Sequence, residues 1–182
     1  DAPSLSKESI QDARNYINEK IGDKYLTNAP RIYASTENAQ EAHEAIRPTN
    51  AFMTPNDLIN QTEEEKRLYQ LIWQQYIACQ MPDAEYLSTS AKIIIDEYTF
   101  SAKGREVVFD GYTKVSQPAK SDDEDILPPL SEGELLTLND INLEQKFTKP
   151  PARFSEAALV KELEKKGIGR PSTYANIIST IQ

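Results

Sequence analysis

The spacing of hydrophobic positions along the chain changes twice, from helical period to alternation and back. Ile10, Ala13, Ile17 and Ile21 recur at three- and four-residue intervals, which predicts an amphipathic helix over 7–21. Ser6 stands where an N-cap belongs, Glu8 suits the first turn, and Gly22 supplies the stop. Residues 22–40, with Gly22, Pro30 and several Asn and Ser, read as irregular. Gln40 to Arg47, ended by Pro48, predicts a helix of one to two turns, and Pro55 opens another short one through Asn60. The strongest signal covers 63–81. Thr62 and Glu65 have capping-box spacing, and Leu68, Leu71, Ile72, Tyr76 and Cys79 form an apolar stripe ahead of Pro82. Cys79 belongs to that stripe and so reads as core filler rather than a reactive thiol.

After Pro82 the period falls to two. Leu87 to Ile95, Tyr98 to Lys103 and Arg105 to Phe109 are rich in β-branched and aromatic residues and are punctuated by Gly104 and Gly111. They predict an antiparallel meander. Gln117 to Pro129, with its prolines and the Ser121 to Asp125 polar run, reads as a loop or lid. Leu135 to Leu138 and Ile141 to Phe147 predict two further strands. Helical spacing then returns: Ser155 caps a run containing Ala158, Leu159, Val160 and Leu163, and Gly167 stops it. Gly169-Arg170-Pro171-Ser172-Thr173 is a second start signal, with Ser172 or Thr173 as the cap. The helical pattern runs on through Gln182, so the chain reads as part of a longer protein.

The expected fold class is therefore mixed α and β in several domains. Residues 1–82 form a helical domain, 83–147 an antiparallel β arch, and 148–182 the start of a domain resembling a helix–turn–helix. No internal repeat is visible.

Composition adjusts this picture in two ways. The chain of 182 residues holds one Cys, which excludes an internally disulfide-stapled scaffold and makes a reducing compartment the default. No secretory leader pattern opens it, and the apolar runs fall far short of the ~20 residues of a membrane span, so no membrane partner is expected. The formal net charge of −9 argues at face value against nucleic acid. Its distribution argues otherwise. Residues 143–182 hold seven Lys and Arg against four Glu, a net of +3, which leaves −12 on residues 1–142. The acidic runs Glu63 to Glu65 and Asp122 to Asp125 read as solvated surface, and the second lacks EF-hand spacing for a cation.

Two constellations carry candidate chemistry. In Glu41-Ala42-His43-Glu44-Ala45-Ile46-Arg47, a helix places His43 and Arg47 on one face, where a forked guanidinium and a titratable imidazole suit a phosphate. A surface or capping role for His43 fits the local pattern too. The chain has one His, so a His-Glu-x-x-His zinc site is excluded. The second constellation is Lys149-Pro-Pro-Ala-Arg153-Phe-Ser155 and Gly167-Ile-Gly-Arg170-Pro-Ser172-Thr173, two helix starts with hydroxyls and Arg beside them. These features suit an anion site, a DNA-binding helix–turn–helix, or capping alone. No Gly-rich phosphate loop, Ser/His/Asp order or paired-Cys site is present in the sequence.

The segments Gln40 to Thr49, Phe147 to Glu156 and Gly167 to Tyr174, with Lys66 to Trp73 between them, resemble the bacterial type IA DNA topoisomerases over essentially the whole chain. That resemblance implies a gate enzyme that relaxes negatively supercoiled DNA. It would cut one strand through a 5′-phosphotyrosine link with Mg²⁺ and without ATP. Asp1 matches the end of the family's Tyr-Met-Arg-Thr-Asp motif, which implies a nucleophile and a metal-binding domain outside this segment. His43 then matches the residue beside the scissile phosphate, with Arg47 supporting it. Arg170, Ser172 and Thr173, together with Lys149 and Arg153, would hold the single strand. The expected partners are single-stranded and negatively supercoiled DNA, and the expected state is a cytoplasmic, nucleoid-associated monomer. A stand-alone helix–turn–helix DNA-binding module without catalysis is the alternative.

Overall fold

A computed structural model of the chain describes residues 2–33, 44–116 and 126–181. The fold is mixed α and β, and the chain divides into two compact units, Asp1–Glu134 and Leu135–Gln182.

The first unit is built on two helices. Helix α1 (Lys7–Tyr16) starts where Ser6 accepts a hydrogen bond from the Ser9 N–H, and it continues as a π-helical turn over Ile17–Ile21. Gly22 ends it with φ +120°, in the region that favours glycine. Helix α2 (Glu63–Ala78) carries the predicted capping box: Thr62 accepts from the Glu65 N–H, and the Glu65 carboxylate accepts from the Thr62 N–H. Its buried face keeps Tyr76 of the predicted stripe but differs elsewhere. Leu68 and Leu71 are 60% and 66% exposed, while Trp73, Tyr76 and Ile77 enter the core with Tyr69 packed against them. Aromatic bulk rather than aliphatic spacing sets the rotation of the helix, because large rings gain most by leaving water. Ala13, Ile17, Tyr25, Ala51 and Met81 complete the core. Pro55–Asp57 is a single 3₁₀ turn, shorter than the predicted helix.

The meander is a single long hairpin. Strand β1 (Glu85–Ile95) pairs antiparallel with β2 (Tyr98–Phe109) around Asp96–Glu97, and Asp96 takes φ +50°. Gly104 does not divide two strands. It pairs with Thr89 inside β2, and the ladder breaks at a bulge beside Glu85 and Tyr86 instead. The hairpin is fastened to the helical core at its base. The Tyr25 ring stacks on Phe109 at 5.2 Å, and its hydroxyl donates to Asp110 at 2.7 Å. Lys24 and Lys114 lie 4.9 and 5.0 Å from the Tyr25 ring centroid.

Gly111 closes this junction with φ +48°, and the Tyr112 N–H donates to the Pro82 carbonyl at 2.9 Å. A Cβ at Gly111 would lie 2.4 Å from the Asp83 carbonyl oxygen and 2.7 Å from the Ala84 nitrogen, both backbone atoms with little room to yield. Gly111→Ala is therefore expected to cost about 1–3 kcal/mol, seen as a lower urea midpoint with an unchanged slope.

In the second unit, α3 (Glu156–Lys165) and α4 (Pro171–Ile181) are the regular elements. The predicted strands at 135–138 and 141–147 do not form: the segment is irregular, and Leu135 and Leu143 are 97% and 95% exposed. A strand needs a neighbour to satisfy its backbone groups, and none of the described residues pairs with this one. Residues 117–125 of the expected loop lie outside the described residues.

Candidate nucleic-acid interface

The segment after residue 43 is not helical. Glu44 to Arg47 is irregular, and Pro48 disfavours helical geometry in the residue before it. The predicted sharing of a helix face by His43 and Arg47 therefore fails, and His43 itself lies outside the described residues. What holds 44–47 in place is a set of contacts to the start of α1. The Ala45 N–H donates to the Ser4 carbonyl at 2.8 Å. The Glu44 carboxylate accepts from the Ser6 N–H at 2.8 Å and the Ser9 hydroxyl at 3.1 Å. Arg47 closes the group with a fork onto Glu44, Nε to Oε1 at 2.9 Å and Nη2 to Oε2 at 3.2 Å. Its remaining Nη1 donates to the Pro48 carbonyl at 3.1 Å.

Downstream, the Ala51 N–H donates to Asp12 at 2.7 Å, the Trp73 indole N–H to the Ala51 carbonyl at 2.8 Å, and the Tyr69 hydroxyl to the Met53 carbonyl at 2.7 Å. The other side of 34–43 is anchored as firmly. The buried Gln80 amide exchanges hydrogen bonds with both backbone groups of Arg31, at 2.9 and 3.1 Å, and the Arg31 guanidinium reaches Asp83 at 3.0 Å. Residues 31–33 and 44–53 are thus both tied to the core formed by α1 and α2.

Arg47 and, after it, the Ser6 N–H hold the Glu44 carboxyl at about 2, against an ordinary value of 4.5. Burial, reinforced by Asp12, raises the Tyr76 phenol well above its ordinary range, and its hydroxyl donates to the Ser9 carbonyl. The depressed Glu44 value carries a sign. The stability it contributes is present above pH ~4.5 and is lost as the pH falls through ~2. Glu44→Gln is therefore expected to melt below the parent at pH 7, with the difference closing on acidification from pH 4.5 to 2. Glu44 is partly exposed, so screening keeps the effect modest.

The second constellation lies wholly in the second unit. Lys149 and Arg153 are exposed on the irregular approach to α3, and among the described residues no ion pair or side-chain hydrogen bond engages either. Ser155 caps α3 as predicted, accepting from the Ala158 N–H at 3.2 Å. The helix ends in a Schellman motif: the Ile168 N–H reaches the Leu163 carbonyl at 2.9 Å, and the Gly167 N–H reaches Glu164 at 3.0 Å, with Gly167 at φ +66°. Helix α4 starts one or two residues before the predicted caps. Pro171 takes its first position, where a missing N–H costs nothing. Thr173 reaches back instead: its Oγ1 accepts from the Arg170 N–H at 2.8 Å. Arg170, Ser172 and Thr173 are exposed together at this start, a place that favours anions.

Among the described residues no group of three or more His, Cys, Asp or Glu could hold a metal ion. No helix among the described residues is long and apolar enough to cross a membrane. Sequence reasoning missed Glu44, Asp12 and Gln80 as anchors. Only the Glu44–Arg47 spacing hinted at any of them, since the other contacts join residues 35 or more positions apart.

The comparisons with known proteins agree with one another. A family model described as DNA topoisomerase matches residues 1–182. A Vibrio cholerae protein described as DNA topoisomerase 1 is 52% identical over 182 residues, covering 100% of this chain and 21% of that protein. The Escherichia coli K12 protein of the same description is 51% identical over 183 residues, again with 100% and 21% coverage. The solved structure of full-length topoisomerase I from Thermotoga maritima superposes with a TM-score of 0.80 at 36% identity, covering 98% of this chain and 28% of that one. The chain therefore spans about a fifth of the length of the curated relatives it matches.

Proposed function

The chain belongs to the DNA topoisomerase family, and on that premise we propose that it serves as a gate and DNA-contacting segment of a longer type IA enzyme. That enzyme relaxes negatively supercoiled DNA by cutting one strand, passing another through the break and resealing it. The observation that carries the reading is the family match over the whole chain, which includes the Gln40 to Thr49 and Gly167 to Tyr174 segments. A stand-alone helix–turn–helix module would account only for 148–182, so it gives way.

In this reading His43 donates to a non-bridging oxygen of the scissile phosphate, and Arg47 supports it. Arg170, Ser172, Thr173, Lys149 and Arg153 hold phosphates of the single strand. A tyrosine oxygen forms its bond to phosphorus as the bond to the 3′ oxygen breaks. The reverse step restores the strand, so the phosphodiester energy is conserved and ATP is not needed. None of the nine tyrosines in this chain is assigned as that nucleophile. Tyr76 is buried and occupied with Ser9, and Tyr174 sits in the first turn of α4. When bound, Mg²⁺ neutralises phosphate charge, and its ligands are assigned to other parts of the enzyme. In this reading the complete enzyme works as a cytoplasmic, nucleoid-associated monomer.

The test is a plasmid assay. The complete enzyme should relax negatively supercoiled DNA in Mg²⁺ without ATP and leave a 5′-phosphotyrosyl intermediate. The pure 182-residue chain should relax none at any Mg²⁺ concentration, and relaxation by it would sink the proposal.

A further inference from the structure

We propose that Glu44 is a positioning residue for strand cleavage: its carboxylate fastens the segment that begins one peptide bond beyond His43 to the first residues of α1. This rests on the assignment of His43 to the scissile phosphate. Four hydrogen bonds converge on this carboxylate. Oε1 accepts from the Ser6 N–H, the Ser9 hydroxyl and Arg47 Nε, and Oε2 accepts from Arg47 Nη2, all within 3.2 Å. The Ala45 N–H adds a backbone anchor to Ser4 one residue on. Two adjacent residues are thereby fixed to the α1 start at separate points, which leaves the backbone at 44 little freedom to swing.

Arg47 is the third partner of the carboxylate. Nε, Nη1 and Nη2 are engaged with Glu44 and the Pro48 carbonyl. The guanidinium thus braces the Glu44 carboxylate through Nε and Nη2. Charge-assisted, bidentate pairs of this kind supply direction as well as energy. Catalysis by placement is sensitive to such direction, because a shift of ~1 Å can cost about a hundredfold in rate.

The experiment is single-turnover cleavage of an end-labelled single-stranded oligonucleotide by the complete enzyme. The variants are Glu44→Ala, Glu44→Gln, His43→Ala and the His43→Ala/Glu44→Ala double, with oligonucleotide affinity and melting temperature measured alongside. Glu44→Ala is expected to slow cleavage at least about tenfold with affinity within about twofold of the parent. Glu44→Gln keeps an oxygen for Ser6 and Ser9 but turns a donor toward Arg47, so it should fall between, and it serves if the alanine variant does not fold. The double variant should cleave no more slowly than His43→Ala alone, because a residue that acts through His43 has nothing left to position.

The outcomes separate. If His43→Ala cleaves at the parental rate, the phosphate assignment itself fails. If His43→Ala is slow while Glu44→Ala and Glu44→Gln are normal, the positioning role alone is wrong. Losses that multiply in the double variant, or a fall in affinity that tracks the melting temperature, would mean that Glu44 is merely structural, and the proposal would be overturned.

Discussion

Trp73→Ala should destabilise the first unit by ~3–5 kcal/mol, the range for removing a large aromatic side chain from a packed core. Trp73 is only 7% exposed. It meets the Tyr16 ring edge-on at 5.2 Å, and Tyr16 meets Phe52 in the same way at 5.4 Å. Its indole N–H is the partner of the Ala51 carbonyl, at a residue with no exposed surface. Truncation therefore does two things at once. It opens a cavity beside Tyr16 in the core, and it leaves a buried carbonyl without its donor, itself worth about 1–3 kcal/mol. Trp73→Phe separates these effects, because the ring is largely kept while the hydrogen bond is lost. The expected order of stability is parent, then Trp73→Phe, then Trp73→Ala. The last should melt on the order of 10–20 °C below the parent. Thermal unfolding followed by circular dichroism checks the order, and equal losses in the two variants would show that the hydrogen bond rather than packing dominates.

The same residue shows why the fold was only partly legible in the sequence. Local signals were read correctly. Ser6, Thr62 and Ser155 each cap the helix they precede, because a cap depends on residues three positions away. The stripe on α2 holds at Tyr76 but turns away from Leu68 and Leu71, whose places in the core go to Tyr69 and Trp73. Periodicity shows that a stripe exists; which residues gain most from burial depends on what faces them. Gly104, a break between strands by sequence, is a ladder residue, because a glycine in a paired strand and a glycine in a turn look alike without the partner strand. The strands expected at 135–147 show the opposite error: β propensity was present, and among the described residues a pairing edge was not.

The candidate site divides along the same line. The start of α4 could be read from Gly167 to Thr173 because the Schellman turn, the proline and the back-bonding threonine are all local. The surroundings of Glu44 could not. Its partners Ser6 and Ser9 lie 38 and 35 residues away, and the helical propensity of Glu44 to Arg47 pointed to a different local structure. Tertiary hydrogen bonds to a helix start outweighed a propensity worth tenths of a kcal/mol per residue. Charge followed suit: the total of −9 hid a basic C-terminal segment, which only the distribution revealed.

That basic segment supports the second large effect, on DNA binding by the complete enzyme. Arg170→Ala is expected to weaken binding of a short single-stranded oligonucleotide by about 10- to 100-fold, the cost of one charge-assisted contact of roughly 1.5–3 kcal/mol. Arg170→Lys should recover only part of this, because it restores the charge without the fork. Charge neutralisation has a further signature. Each phosphate contact to a single strand contributes about 0.7 to the slope of log affinity against log salt, so the Lys149→Ala/Arg153→Ala/Arg170→Ala triple variant should lower that slope by about 2. Lys146 provides the comparison for Lys149 and Arg153: it is exposed in the same segment and sits 3.2 Å from Glu144. Lys146→Ala should leave the slope nearly unchanged. Affinities measured between about 50 and 300 mM salt, where the Debye length is on the order of 10 Å or less, distinguish the cases. A triple variant with the parental slope would remove these three residues from the DNA contact, however much its affinity fell. A fall in slope confined to Arg170 would place the strand at the start of α4 alone.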